Sequence, residues 1–158
     1  IKYNLLCDMR ITLFQPDIPQ NTGNILRLAA CFDVPVDIIE PAGFFFEDKR
    51  LKRSALDYYK HVKLKKHLDW ESYYQWSKTN NFNLVLLTTK SNNNYCDYKF
   101  KKNDSIILGR ESAGVPKKIH EIVDERLLIP MQNGLRSLNV SSAAAIVVSE
   151  AIRQIKKN

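Results

Sequence analysis

Residues 82–89 read FNLVLLTT, apolar almost without a break, and so short a run lacking polar alternate positions fits a strand covered on both faces of a parallel sheet. Similar short runs recur at residues 10–14 (RITLF), 34–39 (VPVDII), 62–64, 105–108 (SIIL) and 126–129, the last stopped by Pro130. Stretches of helical period separate them. Over residues 24–32, Ile25, Leu28, Ala29 and Phe32 recur at i, i+3, i+4 and i+7, which buries that face and leaves Arg27 to its side. A short basic helix over 48–55 and an aromatic-rich helix over 69–78 follow. Pro116 opens a helix to about residue 123, and a long helix over 140–155 starts from Asn139 or Ser141 as N-cap. Residues 15–23 (QPDIPQNTG) read as a polar loop and Pro41-Ala42-Gly43 as a turn, while charge obscures the period between Glu47 and Lys66. The alternation predicts an α/β domain, a mostly parallel sheet with helices on both faces.

With 158 residues, 44% hydrophobic and 26% charged, the chain fits one domain over 1–158, with residues 1–8 expected to be an extension ahead of Met9. No apolar run reaches membrane-spanning length, and the N-terminal stretch is too weakly apolar for a secretory signal. Cys7, Cys31 and Cys96 form no CxxC pair, which argues against a disulfide framework and a structural zinc site and favours a reducing cytoplasm. His61, His67 and His120 are scattered, so each is read as a surface or packing residue, and no metal is assigned. The net charge of +7 points to a polyanionic partner. Lys49, Arg50, Lys52, Arg53, Lys60, Lys63, Lys65 and Lys66 face only Asp57 in their span, with Tyr58 and Tyr59 between them. That composition suits an RNA-binding face and equally a solvated helix.

In parallel sheets ligands bind outside the carboxyl ends of the strands. Three loops stand there: TTKSNNN after residue 87, GRESAG after residue 108, and IPMQNGLRSLN from residue 129. The five glycines make neither GxGxxG nor a P-loop, which disfavours dehydrogenases, NTPases and Rossmann-type small-molecule enzymes. Each loop alone reads as a plain turn, and Glu111 equally as a helix cap. Together they suit a ligand such as adenine, held by main-chain groups and a shallow apolar slot.

Three ordered segments, Pro19-Gln20-Asn21-Thr22-Gly23-Asn24-Ile25-Leu26-Arg27, Ile107 through Pro116 (ILGRESAGVP), and Ile129-Pro130-Met131 through Arg136-Ser137-Leu138-Asn139-Val140-Ser141, resemble the motifs of SPOUT-class RNA methyltransferases. Ile39-Glu40-Pro41 and DKRLKRSALDY from Asp48 are similar to the subfamily that methylates the wobble ribose of tRNA. The resemblance spans residues 9–154. It implies a C-terminal deep trefoil knot, a homodimer with the pocket at the subunit interface, and S-adenosylmethionine as cofactor. It also implies methylation of the 2'-hydroxyl of the wobble cytidine or modified uridine in the anticodon stem-loop of tRNA. Leu87, Gly109, Ile129, Pro130, Met131, Ser137 and Leu138 would then hold the cofactor, and Lys49, Arg50, Lys52 and Arg53 the RNA.

By the same resemblance Arg27 is the leading catalytic candidate, with Asn21, Glu111 and Asn139 supporting it or the substrate. A guanidinium is almost never neutral, so Arg27 is read as orienting ribose and phosphate by charge-assisted hydrogen bonds, with proton abstraction left open. The chain departs from the family pattern at Arg110, where many relatives have proline, at Ala113, where they have arginine, and at Ser149, where they have tyrosine. The small apolar face of Ala143, Ala144, Val147 and Ala151 suits a subunit interface, although core is the favoured reading. Alternatives are methylation of another tRNA position or of rRNA, and a non-catalytic RNA-binding module whose cofactor loops would be eroded; here Gly109, Ile129 and Ser137 are present.

Overall fold

The computed structural model describes residues 8–157; the expected extension, residues 1–8, falls outside them but for Asp8. The elements follow in the order β1 (Arg10–Phe14), α1 (Pro19–Phe32), β2 (Val36–Ile39), α2 (Lys49–Ala55), a 3-10 turn (Leu56–His61), β3 (Leu64–His67), α3 (Trp70–Thr79), β4 (Asn83–Leu87), β5 (Asp104–Leu108), α4 (Lys117–Ile122), β6 (Glu125–Leu127) and α5 (Val140–Lys157).

All six strands are parallel, in the order β3-β2-β1-β5-β4-β6. The central register sets Leu13 between Ile38 and Leu108. Because side chains alternate across a strand, Ile11, Leu13, Val36, Ile38, Val85, Ile106 and Leu108 face one layer, where Ile25, Leu26 and Ala29 of α1, Leu51 and Ala55 of α2, and Ala144, Val147 and Ala151 of α5 pack. Phe14, Ile39, Leu84, Leu86 and Ile107 face the other, against Trp70 and Tyr73 of α3 and Ile119 of α4. The aromatic stripe is therefore core, as is the small-residue face of α5 apart from the partly exposed Ala143.

The second layer also holds polar groups. Asp37, fully buried, pairs with the Arg10 guanidinium and with His67 Nε2 at 2.8 Å. The Tyr73 hydroxyl lies 2.8 Å from Ser105 Oγ and 3.2 Å from Thr12 Oγ1. Burial pushes the Tyr73 hydroxyl well above its ordinary value. Every one of these groups is paired, as burial demands.

Two local expectations need correction. The first helix begins at Pro19 and not Asn24, so residues 19–23 (PQNTG) of the supposed polar loop 15–23 are helical. Pro19 sits in the first turn, where its missing N–H costs nothing. Gly23 is tolerated mid-helix because α2 lies against it: a Cβ there would come 2.8 Å from the Leu51 carbonyl oxygen. Likewise β3 occupies Leu64–His67 and not 62–64, because its partner β2 pairs Val36 with Leu64 and Ile39 with His67. Among the described residues no helix is long and apolar enough to cross a membrane.

Candidate active site

The strand order turns at the β1–β5 boundary: β2 and β3 lie to one side of it and β4 and β6 to the other. Loops leaving such neighbouring strands in opposite directions open a crevice at their carboxyl ends. A cleft of about 630 Å³ lies there, lined by Ile18 and Asn21 after β1, residues 87–90 after β4, residues 108–115 around the end of β5, and residues 128, 129, 131 and 136–140 after β6. Its size and mixed lining are those of a small-molecule site.

The loop after β5 folds back tightly. Arg110 N donates to Gly114 O at 3.0 Å and Gly114 N to Arg110 O at 2.7 Å. The closure presses Gly109 against Gly114, so a Cβ on Gly109 would lie 2.8 Å from the Gly114 carbonyl carbon. Gly114 itself has φ +65°, which a side chain rarely adopts.

Glu111 reaches from this loop to the loop after β1 and the first turn of α1. Its Oε2 accepts from the Asp17 amide at 2.9 Å and its Oε1 makes a long contact of 3.5 Å with Asn21 Nδ2. Asn21 Oδ1 in turn accepts from Asn139 Nδ2 at 2.9 Å. Asn139 Oδ1 accepts from Ser141 N at 2.9 Å and so caps α5, settling the choice between Asn139 and Ser141. Three of the four residues expected to be catalytic thus form one hydrogen-bonded series joining the loop after β5, the first turn of α1 and the cap of α5.

Desolvation, followed by the hydrogen bond with Asp17, pushes the Glu111 carboxyl above its ordinary range. Hydrogen bonding to Glu111, then to Ser112, and the charge of Arg110 hold Asp17 below its own, against desolvation. Arg110 also donates to Gln15 O at 3.0 Å. The arginine that departs from the family pattern therefore anchors the loop after β1.

Of the residues expected at a cofactor, Leu87, Gly109, Ile129, Met131, Ser137 and Leu138 line the cleft, whereas Pro130 is exposed outside it. Arg27 does not line it either: exposed on α1, its guanidinium sits 5.2 Å over the Tyr58 ring. Lys49, Arg50, Lys52 and Arg53 are exposed on α2, with Arg50 paired to Asp48 at 2.8 Å. Sequence reasoning placed Thr88, Lys90 and Arg136 in candidate loops without a role of their own and read His120 as a surface or packing residue, and yet all four line the cleft. His120 belongs to no motif, and only the packing of α4 brings it there. Among the described residues no three His, Cys, Asp or Glu side chains are grouped to hold a metal ion.

Comparison with known proteins agrees with this geometry. Residues 8–149 match the model of the SpoU rRNA Methylase family. A protein of Beijerinckia indica named tRNA (cytidine(34)-2'-O)-methyltransferase is 46% identical over 145 residues, covering 92% of this chain and 91% of its own. The protein of that name from Escherichia coli K12 is 37% identical, covering 93% and 94%. A solved structure described as giving structural insights into the 2-OH methylation of C/U34 on tRNA superposes with a TM-score of 0.90 at 31% identity, covering 95% of this chain and 97% of that one. The match from residue 8 to residue 149 takes in all three motif loops and the parallel sheet that carries them, and this chain belongs to the SpoU methylase family.

Proposed function

We propose that the protein transfers a methyl group from S-adenosylmethionine to the ribose 2'-hydroxyl of the wobble nucleotide, cytidine or modified uridine, in the anticodon stem-loop of tRNA. The observation that carries this reading is the meeting of Asn21, Glu111 and Asn139 with six of the expected cofactor residues in one cleft. The tRNA (cytidine(34)-2'-O)-methyltransferases, 37–46% identical in the two compared, support the substrate.

The residues present fit the cofactor. Leu87, Ile129, Met131 and Leu138 offer apolar surface for an adenine ring, and Gly114, with open space where a side chain would stand, leaves backbone free at its edge. Arg136 adds a cation for a carboxylate or phosphate. When bound, S-adenosylmethionine supplies a methyl group already activated on its sulfonium, so the protein's work is alignment and charge stabilisation.

Methylation of the 2'-hydroxyl would require a group in the cleft to take up the hydroxyl proton. Glu111 is a half-buried carboxyl in the cleft, held by the Asp17 amide and raised above its ordinary range by desolvation, and we assign it as the proton acceptor. Asn21 and Asn139 hold that carboxylate and the start of α5 in register. Arg27 orients the ribose and its phosphate. Because it is exposed away from its own cleft, it acts in the cleft of a second copy, in a homodimer that covers Leu135, Leu138 and Ile146, which are 68%, 40% and 37% exposed. The C-terminal deep trefoil knot belongs to this reading, as does a cytoplasmic location, which the free, exposed Cys31 and Cys96 suit.

The test is a map of methylated nucleosides in tRNA from a deletion strain, with calorimetric titration of the pure protein with S-adenosylmethionine. The expected result is loss of 2'-O-methylation at the wobble position alone; an unchanged wobble ribose refutes the substrate, and absent cofactor binding refutes the enzyme.

A further inference from the structure

Phe45 is 84% exposed, more than any other large hydrophobic side chain among the described residues. Single exposed apolar residues are ordinary, but this one is held outward by its neighbours. Phe44 and Phe46 pack against the core with ring centroids 5.7 Å apart, and Lys66 Nζ sits 3.6 Å over the Phe46 ring. Both sides of Phe45 are thereby anchored.

Its loop leaves the carboxyl end of β2, beside the loop after β1 that walls the cleft. Gly43 N donates to Pro16 O at 2.8 Å, and a Cβ on Gly43 would lie 2.8 Å from Asp17 Cβ, so the two loops touch without a gap. Asp17 is the residue whose amide holds Glu111. On its other side, the Phe45 carbonyl accepts from Asp48 N at 2.9 Å, and the Asp48 carboxylate accepts from Arg50 N at 2.7 Å to start α2. Phe45 therefore lies on the stretch of chain joining the cleft wall to the exposed cations Lys49, Lys52 and Arg53.

We infer that Phe45 is a stacking platform for an unpaired RNA base next to the nucleotide held in the cleft, with the α2 cations taking the adjoining phosphates. This inference rests on the tRNA reading above. An aromatic face accepts any base, and an anchored ring loses little freedom on stacking, whereas the neighbouring cations supply attraction for phosphate without base specificity. Phe45 is not among the residues that line the cleft, so its contribution is to binding.

The test uses the full chain and a synthetic anticodon stem-loop carrying 2-aminopurine at one loop position at a time. Binding should quench the probe at one position with the native chain and leave it bright with Phe45→Ala. Phe45→Ala and Phe45→Leu should each weaken the RNA about tenfold, with the salt slope, S-adenosylmethionine binding and solution mass unchanged; Phe45→Tyr and Phe45→Trp should restore both affinity and quenching. Equal binding by Phe45→Ala, rescue by Leu as complete as by Tyr, or a changed solution mass overturns the stacking role while leaving the methyltransferase reading intact. Failure of the native chain to bind the stem-loop overturns both.

Discussion

Asn139 donates its side-chain N–H to Asn21 Oδ1 at 2.9 Å, a bond between residues 118 positions apart that ties the start of α5 to the first turn of α1. The other end of the same amide caps α5 through Ser141 N. Asn139→Ala removes both, and we expect a loss of about 1–3 kcal/mol of stability from the missing cap and the stranded partner. Urea denaturation measures it. A loss confined to activity, with unchanged stability, shows that neither bond bears on the fold.

Glu111 and Asp17 titrate as neighbours pushed apart, Glu111 upward and Asp17 downward. The Glu111 contribution to stability is full below its ordinary value of 4.5 and is lost as pH rises through its raised folded value; that of Asp17 is present above its ordinary value of 3.8 and is lost as pH falls through its lowered one. Glu111→Gln should therefore flatten the decline in stability above pH 4.5. As the proton acceptor, Glu111 should also set the acid limb of kcat/KM above the usual carboxylate range. In Glu111→Gln the rate should fall by about two to four orders of magnitude and that limb vanish. An acid limb that persists in the variant assigns the proton to another group.

Arg27 is exposed and stacked over Tyr58, outside its own cleft. Arg27→Ala should lower kcat by roughly two orders of magnitude or more, leaving S-adenosylmethionine affinity and thermal stability nearly intact, with partial return in Arg27→Lys. Calorimetry beside single-turnover kinetics makes the comparison. Equal loss of cofactor binding means that the arginine shapes the fold and not the reaction.

Gly109 has no room for a side chain, since its Cβ would meet the Gly114 backbone at 2.8 Å. Gly109→Ala should cost about 1–3 kcal/mol through displacement of the loop and weaken S-adenosylmethionine more than RNA. Gly134→Ala, at φ +86° but with open space around it, should strain only its own exposed turn. Calorimetric titration of both variants checks the contrast.

Neutralising Lys49, Lys52 and Arg53 should weaken RNA binding and reduce the slope of log affinity against log salt by roughly 0.7–0.9 for each phosphate left without its cation. Arg50 is already paired with Asp48, so Arg50→Gln should change the slope least. Titrations across a salt series provide the measurement.

Much of the fold is legible in the chain. Apolar runs such as NLVLL and the helical spacing of Ile25, Ala29 and Phe32 announce buried strands and an amphipathic helix, because period and burial are local consequences of backbone geometry. The errors fall where local signals are weak. PQNTG looks like a loop because glycine and polar residues disfavour helix in isolation; packing of α2 on Gly23 reverses that preference. The site divides along the same line. Residues inside the glycine-bearing loops were recognisable from their motifs, whereas His120 and Thr88 carry no such pattern and meet, 3.5 Å apart, only when α4 packs beside β4.

The sequence by itself determined an alternating parallel α/β domain, an excess of positive charge and three ordered loops at strand ends, since these depend on residue type and spacing along a few turns of chain. Only the tertiary structure decided that Asn139, Asn21 and Glu111 join in one hydrogen-bonded series, that Arg110 anchors the loop after β1, and that Arg27 lies outside its own cleft. Those partners are 90 to 118 residues apart, and which side chains meet at such separations is set by strand order and helix packing, which no local window contains.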